Sequence, residues 1–386
     1  MTGMIYLDYA ASTPLDASVA KRMREIEAEC FANPASNHLA GRRSAAAVER
    51  AAEQLGALLG ADPSSFLWTS GATESNNLAI MGVARQRAHR GRHLVTMHSE
   101  HKAVVDVFRA LEKQGFEVTW LNGDSEGYLS AEQLLGALRD DTQLVSIMHI
   151  NNEIGTRQNI AALGSICRER GISFHVDGAQ AAGKVAVDLR NLPVDLYSLT
   201  AHKFYGPKGI GALYVADKVV LEPLLFGGGQ QRRLRPGTLP VALIAGLGEA
   251  AAVAATRLED DQRKTGELKA QLLQGLEKIE GVTVNGPAVD GYSGILNVSV
   301  SDIEGESLML ALEPLCVASG SACNSRSKEP SYVLRSLGRS DAEAESAIRF
   351  SLGRATTPDE IQFAIAHYRQ AVEKLRRLSP RQRNVA

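Results

Sequence analysis

Between Leu55 and Val215 the chain alternates short apolar or β-branched runs with helix-like stretches, and this alternation constrains the fold more than any other feature. The runs fall at 66–68, 93–97, 117–121, 144–150, 172–176, 196–199 and 211–215. Strands separated by helical segments predict an α/β fold. LVSIMHI and ISFHVD are apolar almost throughout, as strands are when helices cover both faces of a mostly parallel sheet. The intervening segments 102–114 and 160–170 space their apolar residues by three and four, the helical period. Ligands in such sheets bind beyond the carboxyl ends of the strands. After Pro240 a helical pattern, rich first in alanine and then in charge, runs to about residue 280. Residues 282–386 read as a smaller α+β unit, with strands at 294–300 and 347–351 and a terminal helix over 358–378. A strand at 5–8 could join either unit.

Composition removes several function classes. With 42 Lys+Arg against 44 Asp+Glu the net charge is -2, so attraction to nucleic acid or to an anionic membrane is not the theme. Cys30, Cys167, Cys316 and Cys323 form no close pair and no C-x-x-C, which argues against a disulfide framework and a thiolate zinc site. The amino terminus lacks a basic segment followed by an apolar one, and no run reaches the ~20 consecutive apolar residues of a membrane span. A cytoplasmic protein is expected.

Chemistry is concentrated at the strand ends. GAQAAGK (178–184) imitates a phosphate-binding loop, but Val185 stands where a magnesium-binding hydroxyl is required and no helical pattern follows. LTAHKFYGPKG places Lys203 at a strand end, where desolvation favours a nucleophilic amine, although a surface lysine in a glycine-rich loop reads the same way. Asp177 ends ISFHVD and either serves a site or caps the next segment. SGATESNNLAI (70–80) opens a helix whose N-terminus suits an anion, with Thr73 the candidate side chain; plain capping explains it equally well. His98 and His101 invite a metal, but no acidic or cysteine ligand completes the set, and no metal is expected. NNEIGT (151–156) offers two amides and an acid to a polar ligand. Cys323 lies among Gly, Ser, Ala and Asn, a composition that favours an exposed reactive thiol, whereas Cys30, Cys167 and Cys316 read as packing residues. Arg349 sits in an apolar run and needs a carboxylate from ligand or protein.

Taken in order, YLDYAAST, HSEHKAV, NNEIG, HVDGAQ, AHKFYGPKG, RPGTLP, SGSAC and EPSYVLR resemble the pyridoxal phosphate-dependent cysteine desulfurases of the NifS/IscS type over nearly the whole chain. The resemblance implies the aspartate-aminotransferase fold (fold type I). A large domain (15–255) would carry a mostly parallel seven-stranded sheet, and a small domain (1–14 and 256–386) would carry a mobile cysteine loop at 318–331. It implies a homodimer that takes sulfur from L-cysteine, leaves L-alanine, and passes a persulfide on Cys323 to an acceptor protein serving iron-sulfur assembly, tRNA thiolation or related transfer. In that frame Lys203 is the Schiff-base lysine and acid/base. His101 stacks on the ring and serves catalysis as a proton shuttle, Asp177 meets the pyridine nitrogen and Gln180 the ring hydroxyl. Thr73, Thr200 and His202 bind phosphate together with Thr238 from the second subunit, and Arg349 and Asn152 bind the substrate. Thr200-Ala201 replaces the commoner Ser-Gly pair but keeps the hydroxyl. The ending RQRNVA differs from the apolar, aromatic tail usual in relatives that dock an iron-sulfur scaffold, which leaves that docking open.

Overall fold

The computed structural model describes residues 3–319 and 329–378. β1 (Ile5–Tyr6) leads to α1 (Ala17–Glu29) and α2 (Leu39–Leu59). There follow β2 (Phe66–Thr69), α3 (Ala72–Gln86), β3 (His93–Met97), α4 (Lys102–Glu112), β4 (Glu117–Leu121), α5 (Ala131–Ala137), β5 (Thr142–Met148), α6 (Ile160–Glu169), β6 (Ser173–Asp177), β7 (Leu196–Thr200) and β8 (Gly211–Val215). β2 to β8 form one seven-stranded sheet in the order β2-β8-β7-β6-β5-β3-β4. Only β8 runs against its neighbours. The cause is connection length: residues 201–210 are too few for the crossover of a dozen or more that a parallel return needs.

The sheet is buried on both faces, as its apolar strands require. Val95, Val145, Phe174 and Tyr197 face one core with Leu55 and Leu59 of α2. Leu94, Leu144 and Leu196, one residue out of phase, face a second core with Leu78 and Ile80 of α3 and Phe108 of α4.

The chain continues through α7 (Val241–Leu276), β9 (Val282–Asn285), β10 (Ile295–Val300), α8 (Gly305–Ala311), β11 (Leu315–Cys316), β12 (Ala318–Ser319), α9 (Tyr332–Ser336), α10 (Asp341–Glu345), β13 (Ile348–Ser351) and α11 (Pro358–Leu378). A four-stranded antiparallel sheet, β12-β13-β10-β9, packs its Leu296, Val298, Ile348 and Phe350 on α7 and α11. β1 pairs in parallel with β11, and Asp8 bridges to Ser351 of β13, so the N-terminal strand belongs with the smaller sheet.

α7 joins both cores: Ile244 and Leu247 enter the first, Leu268 and Leu272 the smaller one. Its most apolar 18-residue stretch has a mean hydropathy of 1.5, enough by length and composition to cross a membrane, yet half of it is buried in the protein. That apolarity therefore serves packing against α1 and α2. Two cysteine expectations need correction. Cys167 is fully buried, but Cys30 and Cys316 are partly exposed, because one caps the end of α1 and the other lies on the two-residue strand β11.

Candidate active site

A cleft of about 530 Å³ opens at the carboxyl ends of β2, β3, β5, β6 and β7, where an α/β sheet places its ligands. Ala10, Ala11 and Ser12 from the amino-terminal segment and Arg349 from β13 line it from the smaller sheet's side. Of the expected site residues, Thr73, His101, Asn152, Asp177, Gln180, Thr200, His202, Lys203 and Arg349 all line this one cleft. Thr238 is exposed and does not line the cleft of its own chain. Cys323 lies outside the described residues.

Lys203 ends the short helical turn that follows β7, and its Nζ donates to the carbonyls of Ala10 (2.6 Å) and Ala11 (3.0 Å). Asp177, the last residue of β6, caps the next segment and also lines the cleft. Oδ1 accepts from the Ala179 N–H (2.9 Å), while Oδ2 accepts from Asn76 Nδ2 (2.7 Å) inside the cleft. His101 caps α4 by accepting at Nδ1 from the Ala103 N–H (3.1 Å). A neutral ring in that role carries its proton on Nε2. Burial holds this imidazole below its ordinary pKa; Asp177 opposes the effect and Lys203 adds to it. Burial, with Lys203, Lys208 and Lys184, takes His202 down to about 4, so it too is neutral.

Gln180 donates to the Ala10 carbonyl (2.8 Å) and accepts from Lys184 Nζ (2.6 Å). Lys184, the lysine of the imitation phosphate loop, is driven well below its ordinary pKa by burial, then by Lys203 and Arg349. Arg349 is 6% exposed and is held by Asp8 Oδ1 (2.7 Å) and the Asn152 carbonyl (2.8 Å). The carboxylate that the sequence requires for this arginine is therefore Asp8.

The walls suit an anionic, ring-bearing cofactor and an amino acid. Arg349 Nε, Asn152 Oδ1 and Asn76 Oδ1 are buried polar atoms without a protein partner. Such atoms are costly unless a ligand completes them. α3 starts at Gly71 without a side-chain cap, so the N-terminal N–H groups at Gly71, Ala72 and Thr73 border the cleft with the helix dipole behind them. Gly71 has φ +154°, a backbone that side-chain-bearing residues rarely adopt. Glu74 accepts from the Ser70 N–H (2.7 Å) and from Arg235 (2.8 Å), tying the RPGTLP segment to this helix start. The donor set fits pyridoxal phosphate: Thr73, Thr200 and His202 near the α3 N-terminus could hold a phosphate, and His101, Asp177 and Lys203 offer an imidazole, a carboxylate and an amine to the ring. Among the described residues no three His, Cys, Asp or Glu side chains converge to hold a metal. His98 stacks on Trp120 instead.

Asn76 of the cleft and the buried acid Glu100 escape sequence reading, whereas Glu153 is the acid that NNEIGT already offers. Asn76 lies one turn beyond Thr73 in the helix-opening segment, Glu153 lies inside NNEIG, and Glu100 lies inside HSEHKAV. Each is a polar residue in a segment already under suspicion, and only the fold shows that it is buried.

The sequence pattern of the aminotransferase class-V family matches residues 5–363. The chain is 52% identical to the cysteine desulfurase IscS of Shewanella baltica (strain OS185) over 381 residues, 97% of this chain and 94% of that relative. Among solved structures, a NifS-like protein superposes with a TM-score of 0.90 at 33% identity, covering 97% of this chain and all of the other. SspA in complex with cysteine superposes with a TM-score of 0.80 at 38% identity, covering 92% of this chain and all of the other. The chain thus belongs to the class-V aminotransferase family, with the NifS/IscS-type cysteine desulfurases.

Proposed function

We propose the following division of labour in the cleft of this pyridoxal phosphate-dependent cysteine desulfurase. Bound pyridoxal phosphate supplies a conjugated ring that withdraws electrons from the substrate's α-carbon. The α3 N-terminus, Thr73, Thr200 and His202 would hold its phosphate, with Thr238 reaching across from a second copy of the chain. Asp177, oriented by Asn76 and the Ala179 N–H, would meet the ring nitrogen; Gln180 would meet the ring hydroxyl and His101 the ring face. Lys203 would hold the cofactor at rest and then move the proton at the substrate's α-carbon, a role suited to an amine at the cleft floor.

Substrate cysteine would place its carboxylate on Arg349. That guanidinium is already fixed by the Asn152 carbonyl and Asp8, so orientation is achieved before binding, and its buried Nε has no partner among the described residues. Asn152 would add a side-chain N–H to the same carboxylate. The thiolate of Cys323 would attack the substrate sulfur: an S–S bond forms, the substrate C–S bond breaks, and protonation of the carbon side yields alanine. Chain connectivity supports this. Ala318 pairs directly with Arg349 in the smaller sheet. Five residues later comes Cys323, a stretch that extends at most ~18 Å. The persulfide would pass to a sulfur-acceptor protein. A homodimer in the cytoplasm, with the large domain at 15–255 and the small one built from 1–14 and 256–386, completes the proposal.

The observation that carries this reading is the convergence of Lys203, Asp177, His101 and an Arg349 with an open donor on one cleft. Purified protein supplied with pyridoxal phosphate and L-cysteine should release alanine and, with a reductant, sulfide. Borohydride followed by peptide mapping should label Lys203. Cys323→Ala should keep the bound cofactor's absorption while losing sulfide release; a label elsewhere, or sulfide release unaffected by Cys323→Ala, refutes these assignments.

A further inference from the structure

Two buried acids from different sequence motifs converge on one short stretch of chain. Ser331, the N-cap of α9, accepts from the Leu334 N–H (3.2 Å) and donates its own hydroxyl proton to Glu153 Oε2 (2.6 Å). The next residue, Tyr332, donates its phenol proton to the backbone carbonyl of Glu100 (2.8 Å). Glu100 is itself pinned, accepting from the Met148 N–H (2.8 Å) at the end of β5.

Glu153 follows Asn152, a lining residue of the cleft, and is itself buried behind it. Its backbone N–H donates to Asn151 Oδ1 (2.8 Å), and its carbonyl accepts from Asn297 of β10 (3.1 Å). The residue before it, Asn152, presents the carbonyl that fixes Arg349. A carboxyl group this deeply buried with one side-chain partner is expensive, and an apolar residue would serve packing at lower cost. What it holds is the N-cap hydroxyl of α9. Burial pushes Glu153 up to about 7 against the opposing influence of Ser331, Arg349 and Lys102, so it accepts the serine proton from an environment that disfavours its charge.

We propose that Glu153 is a positioning residue: through Ser331 it fixes the chain on the carboxyl side of Cys323 to the loop that carries Asn152. It thereby sets the geometry in which the thiol meets the substrate sulfur. This rests on the assignment of Cys323 above, and the substrate contacts themselves stay with Arg349 and Asn152.

The test is single-turnover persulfide formation in the full-length holoenzyme, read as the mass gain of one sulfur atom on the Cys323 peptide, alongside the absorption change that cysteine causes in the bound cofactor. Glu153→Ala and Ser331→Ala should each slow sulfur capture about tenfold or more, the scale of cost that a misplaced reacting group incurs. The cysteine concentration giving half the absorption change should stay within about twofold, because binding is untouched. Glu153→Gln, which keeps an acceptor for Ser331, should recover most of the lost rate. Sulfur capture at the wild-type rate in both alanine variants overturns the inference, as does cysteine binding that weakens in step with the rate. Wild-type enzyme that makes alanine but gains no sulfur on Cys323 removes the assignment of that cysteine itself, a failure distinct from the other two.

Discussion

Arg349 shows how one residue is prepared by its surroundings. Asp8 and the Asn152 carbonyl take two nitrogens, and the buried Nε has no partner among the described residues. Arg349→Lys keeps the charge but cannot hold three directions at once. Loss of a charge-assisted hydrogen bond of ~1.5–3 kcal/mol should lower kcat/KM for cysteine by roughly 10- to 100-fold, mostly through KM, measured as the initial rate of alanine formation. An unchanged KM would place the substrate carboxylate elsewhere. At this scale the sequence announces residues and hides their partners. Arg349 advertises a need for a carboxylate because it lies in an apolar strand, but Asp8 is 341 positions away. Asn76 and Asp177 are 101 apart for the same reason: the fold, and not proximity in the chain, creates the pair. Lys184 is a sharper case. Its motif fails as a phosphate loop, yet the lysine is buried behind Gln180, where local sequence cannot see it.

Among the elements, the central strands of the large sheet are legible because burial on both faces leaves nearly continuous apolar runs, while the half-exposed edge strand β4 shows itself by its β-branched and aromatic residues. α1 and α2 are not legible from apolar periodicity, although α2 spans 21 residues. Its buried stripe is Gly41, Ser44, Ala47, Ala51, Leu55 and Leu59, a helical spacing written mostly in small residues, so the hydrophobic contrast that reveals a helix is faint. Those small residues let α7 come close. A Cβ at Gly248 of α7 would lie 2.5 Å from Ala51 Cα, a backbone atom that cannot step aside. Alanine there gains ~1 kcal/mol of helix propensity, but the forced separation of α7 from α2 costs ~1–3 kcal/mol, so Gly248→Ala should lower the thermal midpoint. At Gly246 the added Cβ meets Met23 Cγ and Sδ at 2.7 and 2.8 Å, part of a flexible side chain. Gly246→Ala should therefore cost less, and thermal scans of the two variants side by side decide whether backbone contact governs this interface.

For the whole molecule, the buried polar groups that furnish the cleft and sheet tie stability to pH. Burial takes His149 and His175 down to about 3, with Arg157 adding to the effect at His149, and His202 to about 4. The unfolded chain would protonate each near pH 6.5. Their contribution is therefore complete above that pH and is lost as pH falls below it. Smaller depressions at His93, His98 and His101 act in the same direction. Two buried acids oppose them: burial raises Glu153 to about 7 and Glu100 well above the usual carboxylate range, so both keep protons that the unfolded chain has lost. Lys184, driven well below its ordinary pKa, acts with the histidines. The unfolded state therefore binds more protons between roughly pH 6 and 5, and the thermal midpoint should fall on acidification. Glu153→Gln removes one of the opposing acids and should steepen that fall. Scans of both holoproteins at the two pH values test the balance: a midpoint that rises on acidification, or one that falls equally in wild type and variant, refutes it.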